Sequence, residues 1–243
     1  MSIAVVTGAS SGIGEATAKE LAAAGYQVIC AARRVDRITA LAEQIGGIAV
    51  QVDITNPADV AHLAEVAGSH VDILINDAGG AFGMEPVAQA DLSLWERMYE
   101  LNVIGTARVT QALLPALLAA EGVIVFVTST AADAGYEGGA GYCGAKAAER
   151  SMVQSMRLEL YDQPVRITEI CPGMVHTPEF SVVRLGDQAK ADAIYAGVPN
   201  PLLAEDVARA IAFMATGPKH VNIDRLTIRP RAQAAQFKTF RIK

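Results

Sequence analysis

The sequence predicts a single α/β domain in which a seven-stranded parallel sheet lies between two layers of helices. Three observations carry that expectation. Short apolar runs alternate with longer segments whose apolar residues recur at helical spacing. The short runs lack polar alternation, as strands do when a parallel sheet is covered on both faces. The chain has 243 residues, 51% hydrophobic and 19% charged, which suits one large core and excludes general disorder.

The strands are expected at 3–7, 27–31, 48–52, 71–75, 123–128, 166–170 and 226–229. Helices are expected at 12–24, 35–44, 57–67, 92–120, 142–161 and 204–214. Asn56 before Pro57 marks a start well, because it supplies an N-cap and a first-turn proline. The run 92–120 is long for a globular helix, and Pro115 is expected to bend or divide it near its end. No linker or internal repeat interrupts the pattern. The proline-bearing stretch at about 174–200 follows a strand end and reads as a substrate lid, with an ordinary surface loop as the alternative.

Composition excludes several classes. Three cysteines without a close pair and four scattered histidines argue against a disulfide framework or a metal site, and suit a reducing, cytoplasmic setting. The apolar start lacks a basic region and reaches Gly8 too soon for a signal peptide, and no stretch approaches 18 uninterrupted apolar residues. Five of the 20 basic side chains, Arg229, Arg231, Lys238, Arg241 and Lys243, fall in 229–243, which has no acidic residue. The net charge of −6 therefore hides an acidic body and a basic extension at about 230–243. An acidic body repels a phosphate backbone, so the extension, with Phe237 and Phe240, is expected to dock on an acidic surface of the same or another subunit rather than on nucleic acid.

The first strand leads into Thr7-Gly8-Ala9-Ser10-Ser11-Gly12-Ile13-Gly14 and then a helix. Glycines there permit a tight turn, close approach to a pyrophosphate and close packing, while helix-terminal amides meet the negative charge. Three residues separate Gly8 from Gly12, one more than in the simple dinucleotide fingerprint. After the second strand, where a 2'-OH-selecting site presents an acid, the chain has Arg33 and Arg34. Guanidinium groups suit the 2'-phosphate of NADP, with Arg33 nearer the strand end and so expected to be the better placed. Asp53 follows the third strand, where it can accept from an adenine amino group or simply cap its turn.

Tyr142 and Lys146 lie four residues apart at the start of a helical run, hence on one face. A phenol with pKa near 10 is a poor acid or base at neutrality, and an adjacent ammonium is expected to lower that value. Cys143 lies about 100° around the helix and reads as a packing residue.

Together these features resemble the short-chain dehydrogenase/reductase family. The matching residues, in family order over 7–177, are the Gly8, Gly12, Gly14 turn, Asn76-Asp77-Ala78-Gly79, Asn102, Ser129, Tyr142 with Lys146, and Pro172-Gly173 with Thr177. The resemblance implies a Rossmann-like three-layer fold and a four-residue site. Tyr142 would be the general acid or base, Ser129 would hydrogen-bond the substrate oxygen, Lys146 would tune Tyr142 and hold the nicotinamide ribose, and Asn102 would position a relay water. It further implies that Ser10, Ser11, Ile13, Arg33, Arg34, Asp53, Ile54, Asn76, Ala78, Gly79, Pro172, Gly173, Val175 and Thr177 line the NADP site, with no metal. One departure stands out: Asp77 replaces the second asparagine of the family's Asn-Asn-Ala-Gly.

Within the family the chain most resembles NADP-dependent 3-hydroxy acid dehydrogenases and serine 3-dehydrogenases, through Phe82-Gly83-Met84-Glu85-Pro86, Thr177-Pro178-Glu179-Phe180-Ser181 with Val183-Arg184, and His220-Val221-Asn222-Ile223-Asp224. That implies a small alcohol or 3-hydroxy acid, with Arg184 as a carboxylate partner or merely a charged lid residue, and a homotetramer. The alternatives are a reductase of bulkier aldehydes or ketones, a 3-oxoacyl-carrier-protein reductase, and a non-catalytic NADP-binding subunit.

Overall fold

The computed structural model describes residues 2–177 and 179–242; Pro178 of the expected lid and Lys243 of the basic extension lie outside them. The first half runs β1 Ile3–Thr7, α1 Gly12–Ala23, β2 Gln27–Ala32, α2 Val35–Ile45, β3 Ile48–Gln51, α3 Pro57–Ala67 and β4 Ile73–Asn76. It continues through α4 Leu92–Tyr99, a π-helical segment Glu100–Gly105, α5 Thr106–Ala120, β5 Val123–Val127, α6 Ala140–Glu159 and β6 Arg166–Pro172. Then follow β7 Val175–His176, α7 Phe180–Leu185, α8 Gln188–Tyr195, β8 Leu202–Leu203, α9 Ala204–Ala215, β9 Arg225–Ile228, β10 Gln233–Ala235 and β11 Lys238–Thr239.

Seven strands form one sheet in the order β3-β2-β1-β4-β5-β6-β9, and every pair is parallel. The chain leaves β1 toward β2 and β3, then returns to its other side at β4. That reversal opens a crevice at the carboxyl ends of β1 and β4. Side chains alternate across the sheet. Ala4 and Val6 face a core built with α1, α2 and α9, including Leu21, Ile38 and Ile211. Val5 faces the other, built with α3, α5 and α6, including Leu63, Leu117 and Val153. Each buried valine, leucine or isoleucine among them contributes about 1.5–3 kcal/mol, which is why the strands are apolar throughout.

The expected helix 92–120 forms, but Pro115 sits inside α5 without ending it. The irregularity lies earlier, at the π-helical Glu100–Gly105. There α5 begins against Ile54: a Cβ on Gly105 would lie 2.8 Å from Ile54 Cγ1. An 18-residue stretch of 92–120 has a mean hydropathy of 1.4, apolar enough by composition to cross a bilayer. It is instead a core helix, burying Val109, Leu113 and Leu117 against the sheet.

The stretch expected as a lid contains two helices, α7 and α8, and β7 pairs with β8 beyond them. The basic extension folds back as the β10–β11 hairpin. Within the chain, Arg241 donates to Ile194 O at 2.8 Å and to Ala196 O, at the carboxyl end of α8, rather than to an acidic side chain. A cation there meets the negative end of the helix. Ile242 N donates to Gly197 O at 2.7 Å. Phe237 and Phe240 remain exposed.

Candidate active site

A cavity of about 540 Å3 runs along the carboxyl ends of the strands, from Arg33, Arg34 and Asp53 at one end to Ser129, Tyr142 and Arg184 at the other. Two glycines shape its near wall. Gly8 has φ +72°, and a Cβ on it would lie 3.0 Å from Ala78 N. A Cβ on Gly14 would lie 2.5 Å from Gly8 O, so the turn closes only without side chains at both positions.

Arg34, rather than the expected Arg33, turns its guanidinium onto this turn. It donates to Ser10 Oγ at 2.8 Å and to Ser11 Oγ at 2.8 Å, whereas Arg33 is exposed at the cavity rim. Two hydroxyls, a guanidinium and the start of α1 form a cradle suited to a phosphate. Glu179 accepts from Arg34 at 2.6 Å and also pairs with Arg37. Burial works to raise the Glu179 carboxyl, but hydrogen bonds from both arginines hold it below its usual value. Asp53 lines the cavity and also caps its own turn, accepting from Thr55 N at 2.9 Å and Thr55 Oγ1 at 2.7 Å.

At the other end Tyr142 is 8% exposed. Ser129, which follows β5, stands beside it and works to lower its pKa, and Lys146 presents its ammonium one turn further along α6. Thr128 and Thr130, on either side of Ser129, donate to Glu169 and Gln236. The Tyr142 phenol does not end below its ordinary value: burial raises it more than Lys146 and Ser129 lower it, and Glu149 opposes them further. A phenol raised this way stays protonated at neutrality and is set to give a proton.

Lys146 is itself buried, donating to Val127 O at 3.0 Å and to Glu149 Oε2 at 2.6 Å. Burial works to lower the ammonium, yet Glu149, Tyr142 and Asp77 hold it above its usual value. The Asp77 carboxylate points at the Gly8–Gly14 turn, where the Gly14 amide works to lower its pKa. Desolvation pushes its pKa to about 7 against the pull of Lys146. A folded value above the unfolded one stabilises the protein fully below pH 3.8 and loses that stabilisation as pH rises toward 7. Asp77→Asn should therefore retain activity and raise Tm by a few degrees at pH 8 relative to wild type, with the gain vanishing near pH 4 in thermal denaturation scans.

Three expected site residues lie off the cavity. Asn76 is buried and donates to Thr110 Oγ1 at 2.9 Å. Gly14 stands behind the turn, and Asn102 is committed to backbone. The Asn102 side chain accepts from Gly80 N at 3.2 Å and donates to Gly80 O and Met98 O. It pins the π segment to the turn after β4 with both amide protons, leaving one acceptor position on Oδ1. The remaining expected residues, Ser10, Ser11, Gly12, Ile13, Ile54, Ala78, Gly79, Pro172, Gly173, Val175 and Thr177, do line the cavity.

The sequence did not point to three contributors. Phe180 at the start of α7 meets the Tyr142 ring edge-on, with centroids 5.9 Å apart. Gln233 and Gln236 enter the cavity from the C-terminal hairpin, where Gln233 accepts from Met174 N at 2.7 Å. No periodicity marks a hairpin that folds back from the far end of the chain, and Glu149, in contact with Lys146, was likewise unmarked in the sequence. Arg184, flagged in the lid, is buried and donates to Gly83 O at 3.1 Å and Tyr136 Oη at 2.7 Å. Its guanidinium carbon stands 5.5 Å from the Tyr142 ring centroid.

The short chain dehydrogenase family model matches residues 2–187. An uncharacterized oxidoreductase of Mycobacterium tuberculosis is 58% identical over 96% of this chain and 92% of its own length. Serine 3-dehydrogenase of Agrobacterium fabrum is 39% identical over 98% and 97%, and an NADP-dependent 3-hydroxy acid dehydrogenase of Shigella flexneri is 37% identical over 96% of each chain. The closed form of a serine dehydrogenase complexed with NADP+ superimposes with a TM-score of 0.92 at 35% identity, covering 99% of this chain and 100% of that one. A glycine cradle at the β1–β4 crevice, Ser129 and Lys146 converging on a buried tyrosine, and these likenesses along nearly the whole sequence lead to one assignment: this chain belongs to the short-chain dehydrogenase/reductase family.

Proposed function

We propose that this oxidoreductase uses NADP(H) to interconvert a small, negatively charged alcohol, such as a 3-hydroxy acid, and its carbonyl counterpart. The observation that carries the reading is one continuous cavity with Arg34 over Ser10 and Ser11 at one end and Ser129, Tyr142 and Arg184 at the other. The dinucleotide, when bound, supplies or accepts the hydride. Arg34, Ser10 and Ser11 hold its phosphate end, while Thr177 and Lys146 orient the reacting end. The Ser129 hydroxyl donates to the substrate oxygen as negative charge gathers there, and Tyr142 gives that oxygen its proton in reduction or takes it in oxidation. Phe180 and the α7–α8 lid exclude water over Tyr142.

The charge of the substrate follows from Arg184. Among the described residues it is the cavity guanidinium nearest Tyr142 and has no acidic partner, whereas Arg34 is paired with Glu179. A serine or a 3-hydroxy acid carries a carboxylate close to its carbinol carbon. A panel of short 3-hydroxy acids, serine analogues, neutral aldehydes and cyclic ketones, run with NADP or NADPH, tests the reading. The acids should lead, and Arg184→Gln should lower kcat/KM for them by about 10- to 100-fold while changing neutral aldehydes less than about fivefold. Equal losses on both classes would reduce Arg184 to a lid brace.

Three free cysteines support a reducing, cytoplasmic setting. Exposed Phe237 and Phe240 on the hairpin support homotetramer formation, which a solution mass measurement reads directly.

A further inference from the structure

Lys146 is shared between groups that want opposite things from it. On one side stands Tyr142, for which an unopposed ammonium lowers the cost of losing a proton. On the other, Glu149 places Oε2 2.6 Å from Nζ, and its side chain is 1% exposed. Asp77 faces the same ammonium from the turn after β4. Behind them Glu169 of β6 is fully buried, with Oε1 accepting from Thr128 Oγ1 at 2.7 Å and from Cys171 Sγ at 3.1 Å. Its Oε2 has no hydrogen-bond partner and lies 3.7 Å from Arg225 Nε of β9. Arg184 of α7 is the other cation facing Tyr142.

An ammonium with a carboxylate in contact acts on a third group nearly as a dipole, and its field falls off faster than that of a free charge. We propose that Glu149 is a positioning residue that acts through Lys146, dividing the ammonium's field so that Tyr142 keeps its proton to a higher pH and the site favours carbonyl reduction. The inference rests on Tyr142 being the acid or base of the reaction. Burial pushes the Glu149 carboxyl to about 7, with Lys146 opposing and Glu169 adding to the rise. Glu149 is therefore charged, and its action on Tyr142 greatest, on the alkaline side of neutrality.

Glu149→Gln keeps the shape of the side chain and a hydrogen-bond acceptor for Lys146 but removes the charge. Tyrosinate absorbance is titrated in wild type and variant, each minus its Tyr142→Phe counterpart, because the chain has six tyrosines. Loss of the charge should move the Tyr142 titration down by about one pH unit, and the kcat/KM profile for alcohol oxidation should move with it. Glu149→Met, of similar length, removes the same charge and should give the same shift where the glutamine variant folds poorly. A titration unmoved within about 0.2 pH unit, or moved upward, overturns the proposal even if stability falls. The absorbance needs no turnover, so its outcome stands apart from that of the catalytic reading, which fails separately if Tyr142→Phe stays active.

Discussion

Tyr142→Phe lowers kcat in both directions by about 10³-fold, the middle of the range for losing a positioned acid or base. The substitution deletes one oxygen from a ring packed among Ala81, Met98 and Ala131, so the fold around it should persist. NADPH affinity, followed by nucleotide fluorescence, should change less than threefold or so, because the phosphate cradle proposed above, Arg34 with Ser10 and Ser11, lies at the far end of the cavity. A variant retaining more than about a tenth of wild-type turnover would sink the assignment, since hydride transfer would then not depend on the positioned phenol proton.

Arg34→Ala raises the Kd for NADPH by about tenfold and that for NADH much less. The guanidinium is partly exposed, which keeps the effect below that of a buried pair. In the structure described here Glu179 occupies it, so an arriving 2'-phosphate competes with a carboxylate carried by the lid. Arg33→Ala, at the rim, should cost less than Arg34→Ala; the opposite ranking in fluorescence titrations would restore the expectation drawn from strand-end distance alone.

The sheet was legible because buried parallel strands must be apolar at every position, and that needs no tertiary information. The glycine turn, Ser129 and the Tyr142–Lys146 pair were legible because each lies at a strand end or at fixed helical spacing. Arg33 was preferred to Arg34 by proximity along the chain, but the turn after β2 directs the second guanidinium back over Ser10 and Ser11. Asn102 was recognisable, yet its partners come from Gly80 and Met98, which only the folded π segment brings within reach. The sign of the Tyr142 shift eluded the sequence for a related reason. Spacing reveals which charge is near, while the depth of burial that outweighs it belongs to the whole fold. Pro115 was read as a break, but α5 carries it without interruption.

Arg241 and Ile242 are tied to the end of α8, and α8 belongs to the segment that covers Tyr142. The last described residues are thus tied to the segment at the entrance to the site. A fluorophore coupled at position 242 would report nucleotide and substrate arrival from outside the cavity, and a bulky C-terminal purification tag would load the same segment. Kinetic constants are best taken from protein tagged at its other end.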